Sequence, residues 1–182
     1  MASTTNVTAG KPKIGGAVSI APIGTTLPTD ATTALAAAFA NLGYISEDGL
    51  TQEITRDSEA IKAWGGDTVM TTQTDFEETF VFTLIEALSV DVRKAVYGAG
   101  NVTGTLAAGI VTTVNSTELP ASVWAIDMVY NGAVSRIVIP NGKVSEIGEI
   151  TYVDGEPVGY ELTVTALPDG NGNCSYEYTV TA

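Results

Sequence analysis

Residues 75–87, DFEETFVFTLIEA, show the alternation of apolar and polar side chains that is typical of a half-buried β-strand. The apolar set is Phe76, Phe80, Phe82 and Leu84, and the polar set is Asp75, Glu77, Thr79 and Thr83. Glu78 falls on the apolar side and Val81 on the polar side, so the alternation is imperfect. Because neighbouring residues of a strand point to opposite faces, Glu77 and Glu78 are expected on different faces. The stretch predicts a strand that covers one side of a core.

Two helices are expected beside this strand. The main one follows it, with an apolar stripe at Leu88, Val92, Ala95 and Val96. Asp91 lies early and Lys94 lies late, which suits the helix dipole, and Gly98 can end the helix after about three turns. A lesser helix is expected over residues 31–42, capped by Asp30 and ended by Gly43, with one apolar face formed by Leu35, Phe39 and Leu42.

The second half of the chain is almost entirely β in pattern. Four dipeptides of the type found in hairpin turns lie between alternating or apolar runs, at 131–132 (NG), 141–142 (NG), 154–155 (DG) and 169–170 (DG). Alternation is clear over residues 160–165 and 175–180. We therefore predict a mainly β fold with one main α-helix, in which two antiparallel sheets pack as a sandwich or barrel. Residues 1–13 are expected to form a flexible arm, and residues 14–182 a single domain.

Composition excludes several classes of function. The chain has 182 residues with 21 acidic and 8 basic side chains, a formal net charge of −13, and it repels the phosphates that nucleic-acid-binding proteins must attract. It has no His, the usual general base and the commonest metal ligand. The single Cys174 has no His to activate it. We also find no secretory signal and no apolar run of about 20 residues that could span a bilayer, so a protein made in the cytoplasm is expected.

Three motifs resemble functional sites but fit ordinary structure better. The glycines of residues 98–104 follow a helix, whereas a dinucleotide loop joins a strand to a helix. A calcium loop starting at Asp169 would need Gly at its sixth position and Glu at its twelfth, where Cys174 and Val180 stand. The acidic pairs at residues 47–48 and 77–78 are expected to be solvated. No catalytic, cofactor-binding or metal-binding residue is predicted.

The order of these segments resembles the major tail (tail tube) proteins of long-tailed, non-contractile bacteriophages, particularly those that infect actinobacteria. The resemblance covers residues 18–100, and the later half matches only in type. Its matching elements are Leu42-Gly43-Tyr44-Ile45-Ser46, the turn Glu47-Asp48-Gly49, Ala63-Trp64-Gly65-Gly66, the Glu78-Thr79 strand and Val96-Tyr97-Gly98.

The resemblance implies a structural virion protein that forms hexameric rings, which stack into a hollow tail tube for genome delivery. The implied partners are other copies of the chain and the tail terminator, tail tip and tape-measure proteins. DNA would pass through the lumen without specific binding, and assembly would take place in the host cytoplasm. The resemblance also implies that the N-terminal arm and a long loop or hairpin near residues 47–75 reach neighbouring subunits.

Candidate assembly residues follow from this reading. Four acids on the expected long strands are candidates for the lumen surface, namely Glu53, Asp57, Asp75 and Glu77. Trp64, Gly65 and Gly66 fall between two extended arms, where the glycines permit a tight turn and the Trp suits an inter-subunit contact. Burial of Trp64 in the chain's own core remains an equal alternative.

Two other classes of function remain open. A capsid-decorating protein or an immunoglobulin-like adhesin domain would share the β pattern and the acidic surface, although an adhesin should carry a secretion signal. A hydrolase based on two carboxylates would need a concave pocket with paired acids.

Overall fold

The computed structural model describes residues 2–181, apart from the side chain of Thr5. Eleven strands and one α-helix lie in this part of the chain. The strands are β1 (Lys11–Pro12), β2 (Val18–Pro22), β3 (Ala40–Asn41), β4 (Ile45–Lys62), β5 (Thr68–Leu84), β6 (Val102–Thr105), β7 (Gly109–Thr112), β8 (Ser122–Tyr130), β9 (Ala133–Ile147), β10 (Tyr160–Ala166) and β11 (Tyr176–Thr181). The helix is α1 (Val90–Tyr97), and short 3₁₀ turns span Thr4–Asn6 and Ala99–Asn101.

Nine strands form one sheet in which each pairing is antiparallel. The main path runs β3-β2-β8-β9-β10-β5-β4, while β1 adds to β8 and β11 adds to β9. The second sheet is the antiparallel pair β6-β7. The predicted fold class, mainly β with one helix and two antiparallel sheets, is confirmed.

Strand β9 divides the large sheet into two wings. Its first part, residues 133–138, pairs with β11, and its second part, residues 142–147, pairs with β10. One wing therefore contains β2 and β8, and the other contains β10, β5 and β4. Both wings and α1 contribute to one apolar cluster, whose members include Trp124, Tyr160, Phe80, Phe82, Leu84, Ile126, Ile139 and Leu162. Phe82 and Trp124 meet edge to face with ring centroids 5.9 Å apart, a favoured aromatic geometry.

The strand predicted at residues 75–87 is the second half of β5. Phe80, Phe82 and Leu84 are buried as the alternation predicted, and β10 pairs with them through Val164, Leu162 and Tyr160. Glu77 is exposed and Glu78 is 3% exposed, which confirms that the two acids lie on opposite faces. The expectation that both acids are solvated is wrong for Glu78, because its side of β5 packs against the body.

The helix α1 is shorter than predicted, with eight residues instead of about three turns. The Ser89 hydroxyl accepts a hydrogen bond from the Val92 amide and caps its N-terminus. Gly98 ends it with φ 93°, a conformation that a residue with a Cβ adopts only under strain. The apolar stripe is confirmed for Val92, Ala95 and Val96, which are buried, but not for Leu88, which precedes the helix and is 61% exposed.

The prediction of a lesser helix over residues 31–42 is wrong. This segment is irregular and ends in the short strand β3. The Asp30 carboxylate accepts hydrogen bonds from the amides and hydroxyls of Thr32 and Thr33, and the Thr33 contacts above all hold its pKa well below the ordinary value. The carbonyls of Asp30 and Thr33 accept from Arg136, although a helix would use them for its own ladder. A tertiary contact therefore overrides the helix propensity of the alanines.

The prediction of a hairpin turn at Asn141-Gly142 is also wrong. The turn predicted at Asn131-Gly132 is confirmed, because these two residues join β8 to β9. Residues 141–142 lie inside β9, and Gly142 pairs with Ala166. A Cβ on Gly142 would lie 2.5 Å from the Trp124 ring, whose Nε1 donates to the Gly142 carbonyl at 3.2 Å. The glycine therefore allows a close approach by Trp124 and makes no turn.

Candidate assembly surfaces

Strands β4 and β5 form a long hairpin that stands away from the core. Every residue from 51 to 75 is exposed, on both strands and at the turn between them. The exposed part of β4 has twelve residues, 51–62, which corresponds to about 40 Å at the rise of a strand. The turn comprises residues 63–67, where the Ala63 amide donates to the Asp67 carbonyl at 2.8 Å. Gly65 and Gly66 have φ 116° and 101°, so the turn requires them.

The register of the hairpin brings the four candidate acids onto one face. Residues directly opposite each other in an antiparallel pair share a face, as do alternate residues of one strand. Glu53 lies opposite Thr79, Thr55 opposite Glu77, and Asp57 opposite Asp75. This set, with Glu59 at the next odd position of β4, is called the acidic face below. None of its acids forms an ion pair among residues 2–181.

The two basic side chains of the hairpin lie on the other face. Arg56 and Lys62 occupy even positions of β4, and the Arg56 guanidinium stacks on the Phe76 ring at 4.5 Å from its centroid. The acidic face continues onto β10, because Thr165 lies opposite Thr79 and Thr163 opposite Val81. The acidic face therefore carries no basic side chain, whereas the other face carries both basic side chains together with the buried Glu78.

The distal end of the hairpin is apolar. Trp64 is fully exposed at the turn, and Ile61 and Met70, directly opposite each other on β4 and β5, are about half exposed. Val69, in a β-bulge between them and the turn, is 63% exposed. We call these four residues the apolar tip. The possibility that Trp64 belongs to the chain's own core is excluded by its exposure.

The body of the protein carries an apolar pocket of about 520 Å³ beside β2 and the end of α1. Its walls include Ile20, Ala38, Ala95, Leu119 and Ala121, and its rim carries Asp91 and Lys94. These two rim side chains form only an exposed contact, with Lys94 Nζ 3.9 Å from Asp91 Oδ1. No single sequence motif marked this pocket, because its walls come from segments far apart in the chain.

A side groove of about 810 Å³ separates the base of the hairpin from the loop before β11. Glu78 lies in this groove, 3% exposed, and its Oε1 accepts from Gln52 Nε2 at 2.7 Å and Ser175 Oγ at 2.8 Å. Burial, with the charges of Glu78 and Asp169, raises the pKa of the Cys174 thiol. Less thiolate is present near neutral pH than in a free cysteine, so the groove does not activate Cys174 as a nucleophile.

A buried ion pair links β8 and β9 and also receives a contact from the N-terminal segment. Arg136, 1% exposed, donates from Nε and Nη2 to the two carboxylate oxygens of Asp127, at 2.5 and 3.1 Å. Lys13 Nζ reaches the same carboxylate at 3.1 Å, and β1 pairs with the end of β8. Sequence reasoning missed this network, although a single charge inside each of the apolar runs AIDMV and SRIVI was a usable signal.

Among residues 2–181, α1 is too short and too polar to qualify as a membrane-spanning helix, and no other α-helix is present. In the same range, no cluster of three or more Asp, Glu or Cys side chains is arranged to hold a metal ion.

Comparison with known proteins assigns the chain to a family. A family model described as phage tail tube protein matches residues 4–179, which is nearly the whole chain. A search of curated proteins gave no match. The matched range contains the acidic face, the apolar tip and both body pockets. The chain therefore belongs to the phage tail tube protein family and is a structural protein of a phage tail.

Proposed function

We propose that this protein assembles into hexameric rings that stack into the tail tube, and that the acidic face lines the lumen through which the genome is delivered. The observation that carries this proposal is that one face of the β4-β5 hairpin holds several exposed acids and no basic side chain. Glu53, Asp57, Asp75 and Glu77 share a face, whereas Arg56 lies on the other. A lumen with this surface repels DNA phosphates, so the genome slides without binding.

The cross-strand pairing of Asp57 with Asp75 supports a functional role for this face. Like charges directly opposite each other destabilise a hairpin. Neither carboxylate is compensated by an ion pair among the described residues. Repulsion of a passing polyanion gives a reason for keeping both acids.

The free edges of the hairpin support a sheet that is shared between subunits. β4 ends the strand order, and the first residues of β5 pair only with β4, since β10 joins β5 from Thr79 onward. The unpaired backbone N–H and C=O groups of such long exposed edges can pair with a strand of another chain. Closure of the wings of six subunits into one barrel around the lumen satisfies these edges.

The hairpin and the N-terminal arm are proposed to join neighbouring subunits. Trp64, Gly65 and Gly66 place an aromatic side chain at the far end of the hairpin. In the arm, residues 1–13, β1 contributes only two pairs to the sheet, so the arm can exchange partners at small cost.

The remaining partners follow from the place of a tube in a tail. The tail terminator, tail tip and tape-measure proteins are proposed to contact its two ends and its lumen. Assembly is proposed to occur in the cytoplasm of the bacterial host, in a non-contractile phage of actinobacteria. Neither a catalytic role nor a cofactor is proposed.

The acidic face is tested by replacing Glu53, Asp57, Asp75 and Glu77 with Lys. Tubes are expected to form, as judged by negative-stain microscopy. Genome ejection from virions that carry the variant is expected to slow by roughly ten-fold or more, most strongly at low salt, because DNA phosphates now bind the lumen.

Two controls accompany this variant. Isosteric amide replacements at the same four positions remove the charge without attracting DNA, and ejection should slow far less. Lys at Asp154 and Glu156, in the loop between β9 and β10, changes exposed charges away from the acidic face. Ejection at the wild-type rate by the four-Lys virions contradicts the lumen assignment. A purified chain that binds capsids and never forms rings would instead be a decoration protein.

A further inference from the structure

The apolar tip and the apolar pocket lie at opposite ends of the large sheet. The tip belongs to β4 and β5, which end one side of the strand order, and the pocket lies beside β2 and β3, which end the other. A knob at one end and a hole at the other make a head-to-tail contact, which repeats from copy to copy into a ring or a stack. We therefore consider the apolar tip of a second copy of this chain as the occupant of the pocket.

The pocket has the size and the chemistry to receive the tip. Its 520 Å³ lies within the range of about 300–1,000 Å³ of pockets that bury drug-sized ligands, and an indole ring is smaller than such a ligand. Ile20, Ala38 and Leu119 give it apolar walls. Trp is the residue type most enriched among side chains that anchor interfaces.

Charges flank both surfaces in a complementary way. Lys62 and Asp67 stand on either side of the turn that carries Trp64, and Asp91 and Lys94 stand at the rim of the pocket. The weak contact between Lys94 and Asp91 can be replaced, so that Lys94 faces Asp67 and Asp91 faces Lys62.

The contact between the apolar tip and the pocket buries too little surface to hold two free subunits together. One aromatic anchor buries about 150–250 Å², and stable interfaces bury about 1,200–2,000 Å² in total. A single tip in a single pocket therefore gives no stable dimer. Repetition in every subunit turns many weak contacts into one strong assembly.

We infer that Trp64 of one copy inserts into the apolar pocket of a neighbouring copy. The inference rests on the proposed tube function and identifies the receiving site of the hairpin. The free chain stays monomeric in dilute solution, and the contact forms as subunits add to a tube.

Trp64 fluorescence tests the contact directly, because Trp124, the other Trp of the sequence, is 1% exposed and adds a background that acrylamide quenches little in either state. In the monomer, the exposed indole emits at long wavelength and is quenched by acrylamide. In assembled tubes, its emission is expected to shift to shorter wavelength, and quenching should fall several-fold. Trp64→Ala should fold and abolish tubes, whereas Tyr152→Ala, a matched loss of an exposed aromatic ring outside both surfaces, should assemble normally.

The pocket is tested from the other side. Leu119→Glu places a charge in the wall and should prevent assembly, whereas Leu106→Glu, an exposed leucine in the β6-β7 turn, should not. Asp67→Lys and Lys94→Glu should each weaken assembly several-fold, and the double variant should restore it.

Cross-linking identifies the neighbour. In a Cys174→Ser background, chains with Ala63→Cys are mixed with chains with Pro120→Cys and treated with a short bis-maleimide. The expected result is a product between chains in tubes, with none when Leu106→Cys or Leu167→Cys replaces Pro120→Cys.

The outcomes separate this inference from the proposed function. Tubes in which Trp64 remains quenchable, or in which Ala63→Cys joins Leu167→Cys of the side groove, overturn the pocket assignment and leave the tube function intact. Failure of the unmodified chain to form tubes, even with tail tips present as nuclei, overturns the tube function and this inference with it.

Discussion

Asp127 and Arg136 are the charged residues on which the body of the fold depends most. They are directly opposite each other on β8 and β9, and Arg136 also holds the carbonyls of Asp30 and Thr33. The guanidinium thereby organises a segment that has no helix of its own. Buried pairs of this kind are costly to break, because the remaining charge stays desolvated.

Replacement of Asp127 by Asn is expected to lower the free energy of unfolding by about 3–5 kcal/mol, since Arg136 would stay buried without its counter-ion. Lys13→Ala removes the half-exposed partner of the same carboxylate and should cost only about 0–1 kcal/mol. Urea titrations followed by circular dichroism measure both values. Equal losses in the two variants contradict this account.

At the scale of elements, the β4-β5 hairpin gains little stability from its own contacts, and its proposed role lies in the assembly. Its strands pair along their whole length, with register shifts after Asp57 and Ile61, but no residue of 51–75 belongs to the apolar core. Its acids also oppose its stability, since Asp57 faces Asp75 across the ladder. A hairpin of this type opens locally at a free energy far below that of global unfolding.

Asp75→Asn is expected to stabilise the free hairpin by about 0.2–1 kcal/mol, because it removes the like-charge pair. Amide hydrogen exchange should slow by about 1.4- to 5-fold near Asp57 and Asp75 in the monomer. Asp67→Asn at the turn, which has no acid opposite, is the matched control. Equal protection in both variants would show that the pair is fully screened.

Local pattern predicted some elements and failed for others. The alternation in β5 and β10 predicted their buried faces, because each strand packs one side against the core. The two-residue turn at 131–132 also places Asp127 opposite Arg136, so this ion pair could have been predicted from the sequence. Gly142 and residues 31–42 could not be predicted, since Trp124 and Arg136 act on them from other strands.

At the scale of the whole molecule, the protein is a compact body with a detached hairpin. The apolar cluster draws on both wings of the sheet and on α1 but on no residue between 51 and 75. The core of the body is therefore complete without the exposed part of the hairpin.

Replacement of residues 57–75 by Asn-Gly, which joins the directly opposed Arg56 and Phe76 by a two-residue turn, tests this separation. The free energy of unfolding is expected to change by no more than about 0.5 kcal/mol, as for surface substitutions. Tubes should be lost completely. An unfolded truncation product would show that the hairpin contributes to the body, and tubes formed without it would remove its role in assembly.

The sequence by itself determined the β class, the buried faces of β5 and β10 and the excess of acid, because periodicity and composition are local properties of the chain. The order of its segments carried the resemblance to the family. Only the tertiary structure decided that the hairpin stands free, that Glu53, Asp57, Asp75 and Glu77 share a face, and that a pocket lies at the far end of the sheet. Those features depend on strand register and on contacts between distant segments. Register and topology are set by the packing of the whole core.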